Sequence, residues 1–98
     1  MWRLVVSSQV EVDLVDAALW YDKKQIGLGD QFLAEYVAAI YRISENPLLF
    51  SIAANDLRPC LIKRFSYLIH FTVEENQIIV IAVMSASRDD SSFMDRLS

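Results

Sequence analysis

The hydrophobic pattern of this chain changes period along its length. Trp2 to Ser7, WRLVVS, is dense in β-formers and predicts a short strand. From Ser8 the spacing lengthens. Val12, Val15 and Leu19 recur at helical intervals, with Leu14, Ala18 and Tyr21 beside them, predicting one apolar stripe on a helix over 9–25. Ser8 and Glu11 have the spacing of a capping box, in which hydroxyl and carboxylate each satisfy the other's backbone amide. Lys23 and Lys24 suit the last turn, where cations complement the helix dipole, and Gly27 and Gly29 predict its end. A second helix is predicted over 30–46. Phe32, Leu33, Tyr36, Val37, Ile40 and Ile43 give it the cleanest periodicity in the chain, and Pro47 stops it. The short link between the helices predicts an antiparallel hairpin.

Beyond Asn55 the pattern becomes that of strands: Arg58 to Phe65, Tyr67 to Val73 and Gln77 to Ser85. Glu75-Asn76 predicts a tight turn with Asn76 at positive φ, and Asp90 to Leu97 predicts a short terminal helix. The expected fold is α+β, a single domain over 1–98 in the order β-α-α-β-β-β, with the hairpin on one face of a small, mainly antiparallel sheet. The run IIVIAVM, Ile78 to Met84, is apolar at both parities, as in a central strand covered on two sides. The hairpin covers only one side. A partner protein, or a second copy in a homodimer, is expected on the other.

Composition narrows the class. The chain is 54% hydrophobic and 22% charged, with two glycines and two prolines, which excludes disorder and long linkers. One cysteine, Cys60, cannot form an intrachain disulfide. The apolar start soon meets Gln9, Glu11 and Asp13, unlike a secretory signal, and Ile78 to Met84 is too short to span a bilayer. Cytoplasmic localisation is expected, without membrane association. The net charge is −4, but it is unevenly spread. Residues 1–56 carry four basic and eight acidic side chains; residues 57–88 carry Arg58, Lys63, Arg64 and Arg88 against Glu74 and Glu75. A local basic surface on an acidic protein follows from that distribution.

Most enzyme chemistries lack their residues. One histidine and one cysteine cannot build a zinc site, no serine stands in a nucleophile elbow, and no glycine-rich phosphate loop is present. Neither metal nor cofactor is expected. What remains is Arg58, Lys63, Arg64, Tyr67, His70 and Arg88 on or beside the strands. Alternation puts Arg58, Cys60, Ile62 and Arg64 on one face and Lys63 on the other. Arginines and lysines suit the charge of an RNA backbone, and His70 or Tyr67 suits proton transfer. The parity of Tyr67 with Ile69, Phe71 and Val73 makes its ring a core residue, and that of His70 with Leu68 and Thr72 a half-exposed one.

The run from Ala18 to Pro47, with its Trp20-Tyr21 pair and closing Glu45-Asn46-Pro47, resembles the helical hairpin of the RelE/ParE toxin superfamily. Leu57 to Asp90 resembles its three-stranded core, with Arg64-Phe65-Ser66-Tyr67 and Arg88-Asp89. The resemblance spans nearly the whole chain. It implies a toxin of a type II toxin–antitoxin module, of the plasmid-stabilisation type, held inactive by a cognate antitoxin. It further implies one of two targets: DNA gyrase, inhibited by binding as in ParE-like members, or ribosome-bound mRNA, cut by a metal-independent endoribonuclease as in RelE-like members. Many relatives end the last core strand with His-x-Arg-Arg-Asp. Here Ser85 and Ser87 stand at the histidine and first arginine positions. That departure and the acidic charge favour the ParE-like branch, with Arg58, Lys63, Arg64, His70 and Arg88 as candidate target-binding residues and no catalytic residue assigned. A degenerate toxin of weak activity is the remaining alternative.

Overall fold

The computed structural model describes residues 2–87. Its elements are β1 (Arg3–Val6), α1 (Ser8–Lys24), α2 (Leu28–Glu45), β2 (Arg58–Ile62), β3 (Tyr67–Glu74) and β4 (Gln77–Ser85). Short 3-10 turns at Pro47–Leu49 and Ala54–Asp56 fill the link between α2 and β2. The strands form one sheet in the order β1-β4-β3-β2, parallel only between β1 and β4. Both helices pack on one face of it, as the α+β expectation required. Among the described residues no helix is long and apolar enough to cross a membrane. The terminal helix expected over 90–97 lies outside the described residues.

The cap of α1 falls one residue earlier than its spacing predicts. Ser7 is extended at φ −61°, ψ 143°, and its Oγ accepts from the amide of Gln9 at 3.3 Å. Its own amide donates to Val80 O at 3.1 Å, so Ser7 is at once the last rung of the β1–β4 ladder and the start of the helix. Ser8 is therefore the first helical residue, and Glu11 sits one position too late for a box with Ser7.

That one-residue link also sets the rotation of α1 about its axis. The residues on the sheet are Val10, Leu14, Ala17 and Tyr21, whereas Val12, Val15 and Leu19 face outward. Two apolar stripes compete on this helix, and the periodicity alone selects the wrong one. The stripe of α2 stands: Phe32, Ala39 and Ile43 are fully buried, with Leu33, Tyr36 and Ile40 packed beside them, although Val37 is exposed.

The glycines join the helices rather than merely ending the first. Gly27 takes φ 90° and caps α2. Gly29 lies inside the first turn of α2, where a Cβ would stand 2.5 Å from Ala18 O. Its amide donates to Asp22 Oδ1 at 2.8 Å, tying α2 to α1. In the β3–β4 turn it is Glu75 that takes positive φ, 54°, and not Asn76.

Tyr21, Phe32, Phe65 and Tyr67 form a ring cluster between helices and sheet, with centroids 4.8–5.9 Å apart. A β-bulge in β4 interrupts the register: His70 pairs with Ala82 and Phe71 with Val80, leaving Ile81 unmatched. Val80 and Val83 therefore both face the helices, while Ala82 and Met84 turn to the opposite face and pack with Leu57. That second face is thus covered in part by the chain itself, although Leu61 on β2 stays half-exposed.

Candidate functional site

Among the described residues the basic side chains do not assemble into one site. β2 ends at Ile62, and Lys63 to Ser66 form a turn in which Arg64 takes φ 74°, so Arg64 does not continue the alternation of the strand. Its guanidinium leans on α2, donating to Gln31 Oε1 at 2.7 Å and lying 3.9 Å from Glu35 Oε2. Lys63 is exposed in the same turn. Arg58 stands at the far end of β2, about 13 Å along the strand, opposite the core residue Phe71, and its Nη1 donates to Phe50 O. His70 pairs with Pro59 and Ala82, which puts it on the opposite face of the sheet from Arg58. It is buried at 9% exposure, not half-exposed. Arg88 lies outside the described residues. Tyr67 is part-buried against the core, as its parity requires.

A different set of residues converges. An open cleft of about 600 Å³ runs between α1 and the ends of β3 and β4, lined by Asp13, Asp16, Ala17, Trp20, Tyr21, Ser66, Tyr67, Val83, Met84 and Ser85. Among the described residues its charge comes from two carboxylates, and no described lysine, arginine or histidine lines it. β1 covers β4 only as far as Val80. Past that point the outer edge of β4 opens onto the cleft, and the Val83 amide donates to Asp13 Oδ2 at 3.0 Å. Tyr21 lines the cleft, edge-on to Trp20 at 5.0 Å. Burial raises the pKa of Tyr21 above 10.0, and the neighbouring Tyr67 raises it further, against a backbone hydrogen bond at Ser66. Both effects keep the phenol protonated and leave it a poor base.

Residue reasoning missed Asp13 and Asp16, because helical acids read as solvated surface until the sheet is placed beside them. Trp20 and Ser85 stand out in the sequence only through the family resemblance. The cleft offers aromatic platforms and an apolar floor, which suit a peptide or protein segment. Among the described residues no group of three or more His, Cys, Asp and Glu is placed to hold a metal ion.

Comparison with known proteins agrees with this architecture. The family model described as the ParE toxin of the type II toxin–antitoxin system, parDE, matches residues 4–90. This chain belongs to the ParE toxin family. It is accordingly a toxin of the type II toxin–antitoxin class. No curated protein matches it by sequence. Among solved structures it is similar to one described as the chromosomal ParDE TA system from P. aeruginosa, with a TM-score of 0.78 over 87% of this chain and 96% of the other, at 12% identity. At that identity the likeness establishes the fold, and it agrees with the hairpin-on-sheet topology of this ParE-family chain.

Proposed function

We propose that this ParE-family toxin inhibits DNA gyrase by binding it, and that a cognate antitoxin neutralises the toxin by occupying the cleft beside α1. The observation that carries the reading is the separation of Arg58 and His70 onto opposite faces of the sheet, while the concave surface carries Asp13 and Asp16. An RNA-cleaving centre needs cations around the phosphate and a proton-transfer group within hydrogen-bond reach of the ribose. A cleft bearing two carboxylates repels a phosphate backbone. For a protein segment the same features are favourable: Trp20 and Tyr21 provide anchors, and Ala17 and Val83 an apolar floor.

The test is a pair of assays on purified toxin. Gyrase supercoiling is expected to fall with added toxin and to recover with added antitoxin, while ribosome-bound mRNA stays intact. Codon-specific cleavage of translating mRNA, with supercoiling unaffected, would assign the chain to the endoribonuclease branch instead. Failure of both assays would mark it as a degenerate toxin.

A further inference from the structure

The sheet ends at β2, and an edge strand presents backbone groups on which another strand can build. This edge has the side chains for such pairing: Pro59, Cys60, Leu61 and Ile62 carry no charge, and Leu61 is 53% exposed. One hydrogen bond shows which groups face outward. Arg42 reaches down from α2 and donates through Nη2 to Leu61 O at 2.9 Å. In an antiparallel ladder a residue turns its N–H and its C=O to the same side, and alternate residues share that side. Leu61 and Pro59 therefore face away from β3, while Arg58, Cys60 and Ile62 bond to it. Pro59 fits this placement, because the side it turns outward is the one where no N–H is needed.

A second copy could add to this edge only in a register that brings outward residues together. Antiparallel pairing about a two-fold axis at Cys60 sets Leu61 of each copy opposite Pro59 of the other. Each such pair would exchange two bonds. The first, from Leu61 N–H to the carbonyl of residue 59, has both its groups. The second, from the N–H of residue 59 to Leu61 O, has neither: proline supplies no donor, and Leu61 O already accepts from Arg42.

We propose that Arg42 and Pro59 together close the β2 edge to strand addition by a second copy of this chain. Their actions are complementary. The proline removes the donor of one inter-strand bond, and the guanidinium satisfies the acceptor that this leaves over. The other edge needs less protection. β1 is only four residues long, and where β4 runs past it the Val83 amide is held by Asp13.

The test is amide hydrogen exchange by NMR on the full chain, with sedimentation equilibrium, from micromolar to millimolar concentration. In the wild type the Leu61 amide is expected to exchange as an open backbone group at every concentration. In Arg42→Ala combined with Pro59→Thr, the same amide should become protected about tenfold or more as concentration rises, in step with a dimer. Each single variant should stay unprotected, because one end of the second bond is still disabled. The amides of Cys60 and Ile62, which bond to β3, report in every variant that β2 is folded. Arg42→Met with Pro59→Val, which keeps an apolar stem at 42 and bulk at 59, repeats the test in a second background. Adding Leu61→Pro to either pair removes the remaining outward N–H and should return the protein to monomer. Protection of Leu61 that rises with concentration in the wild type would overturn the proposal. So would paired substitutions that leave the protein monomeric with Cys60 and Ile62 protected, or a single variant that dimerises as fully as the pair.

Discussion

The carboxylate of Asp13 on α1 accepts a hydrogen bond from the backbone amide of Val83 on β4, 3.0 Å away and 70 positions later in the chain. It does so where β1 has ended and the β-bulge has turned that amide outward, so a helical side chain stands where a neighbouring strand would. The bond fixes α1 against the central strand and shapes one wall of the cleft.

Replacing Asp13 by alanine leaves the part-buried Val83 amide without this acceptor. Hydrogen bonds to charged groups are worth about 1.5–3 kcal/mol, and the loss of stability is expected in that range. Urea denaturation checks it: the midpoint should fall while the slope of the transition stays unchanged. Asp13→Asn keeps an acceptor oxygen and should lose less.

The two glycines of the hairpin respond to alanine for different reasons. At Gly29 the added methyl meets the Ala18 carbonyl oxygen at 2.5 Å and Asp22 Oδ1 at 2.9 Å, so the helices must part. The expected loss is about 1–3 kcal/mol, although alanine is intrinsically the better helix former. At Gly27 a methyl has open space, but φ is 90°, and the left-handed backbone alone costs about 1–2 kcal/mol. Melting temperatures of the two variants, together with the double variant, should show near-additive losses only if the two causes are independent.

Trp20 is half-exposed at the mouth of the cleft, edge-on to Tyr21 and beneath the Lys24 ammonium at 4.7 Å. If the cleft is the docking surface, Trp20→Ala should weaken antitoxin binding by about 2 kcal/mol or more, roughly 30-fold, by titration calorimetry. Arg64→Ala should leave stability within about 0.5 kcal/mol, because its ion pair with Glu35 is exposed. Arg58→Ala should cost more stability than Arg64→Ala, because it strips Phe50 O of a part-buried donor.

Alkaline pH should destabilise the fold in a defined direction. Burial raises the Cys60 thiol above its ordinary 9.0, with the nearby Arg42 partly opposing, and burial raises Tyr36 above 10.0. The unfolded chain therefore releases these protons first. Their contribution is fully present below pH 9.0 and is lost as pH rises past the unfolded values toward the raised folded ones. Thermal unfolding followed from neutral pH upward should show that decline, and Cys60→Ala should blunt its first part.

Much of this architecture is legible in the sequence. The strand-rich half beyond Arg58, the periodicity of α2 and the break at Pro47 identify an α+β chain with a helical hairpin, because local spacing reflects which face must leave water. Strand alternation carried through Arg64 sets it on the same face as Arg58. The chain in fact turns at Lys63, and Arg58 and His70 belong to opposite faces.

The sequence by itself determined the identity and order of the elements, since these depend on the period of apolar residues and on proline and glycine within a few positions. Only the tertiary structure decided which stripe of α1 is buried. Val10, Leu14, Ala17 and Tyr21 compete with Val12, Val15 and Leu19, and the choice rests on the link through Ser7 and on the bond from Asp13 to Val83. Only the tertiary structure, likewise, brought Asp13, Asp16 and Trp20 together with Tyr67, Val83 and Ser85. Contacts between residues so far apart in the chain depend on how two layers are rotated against each other, and no local spacing records that rotation.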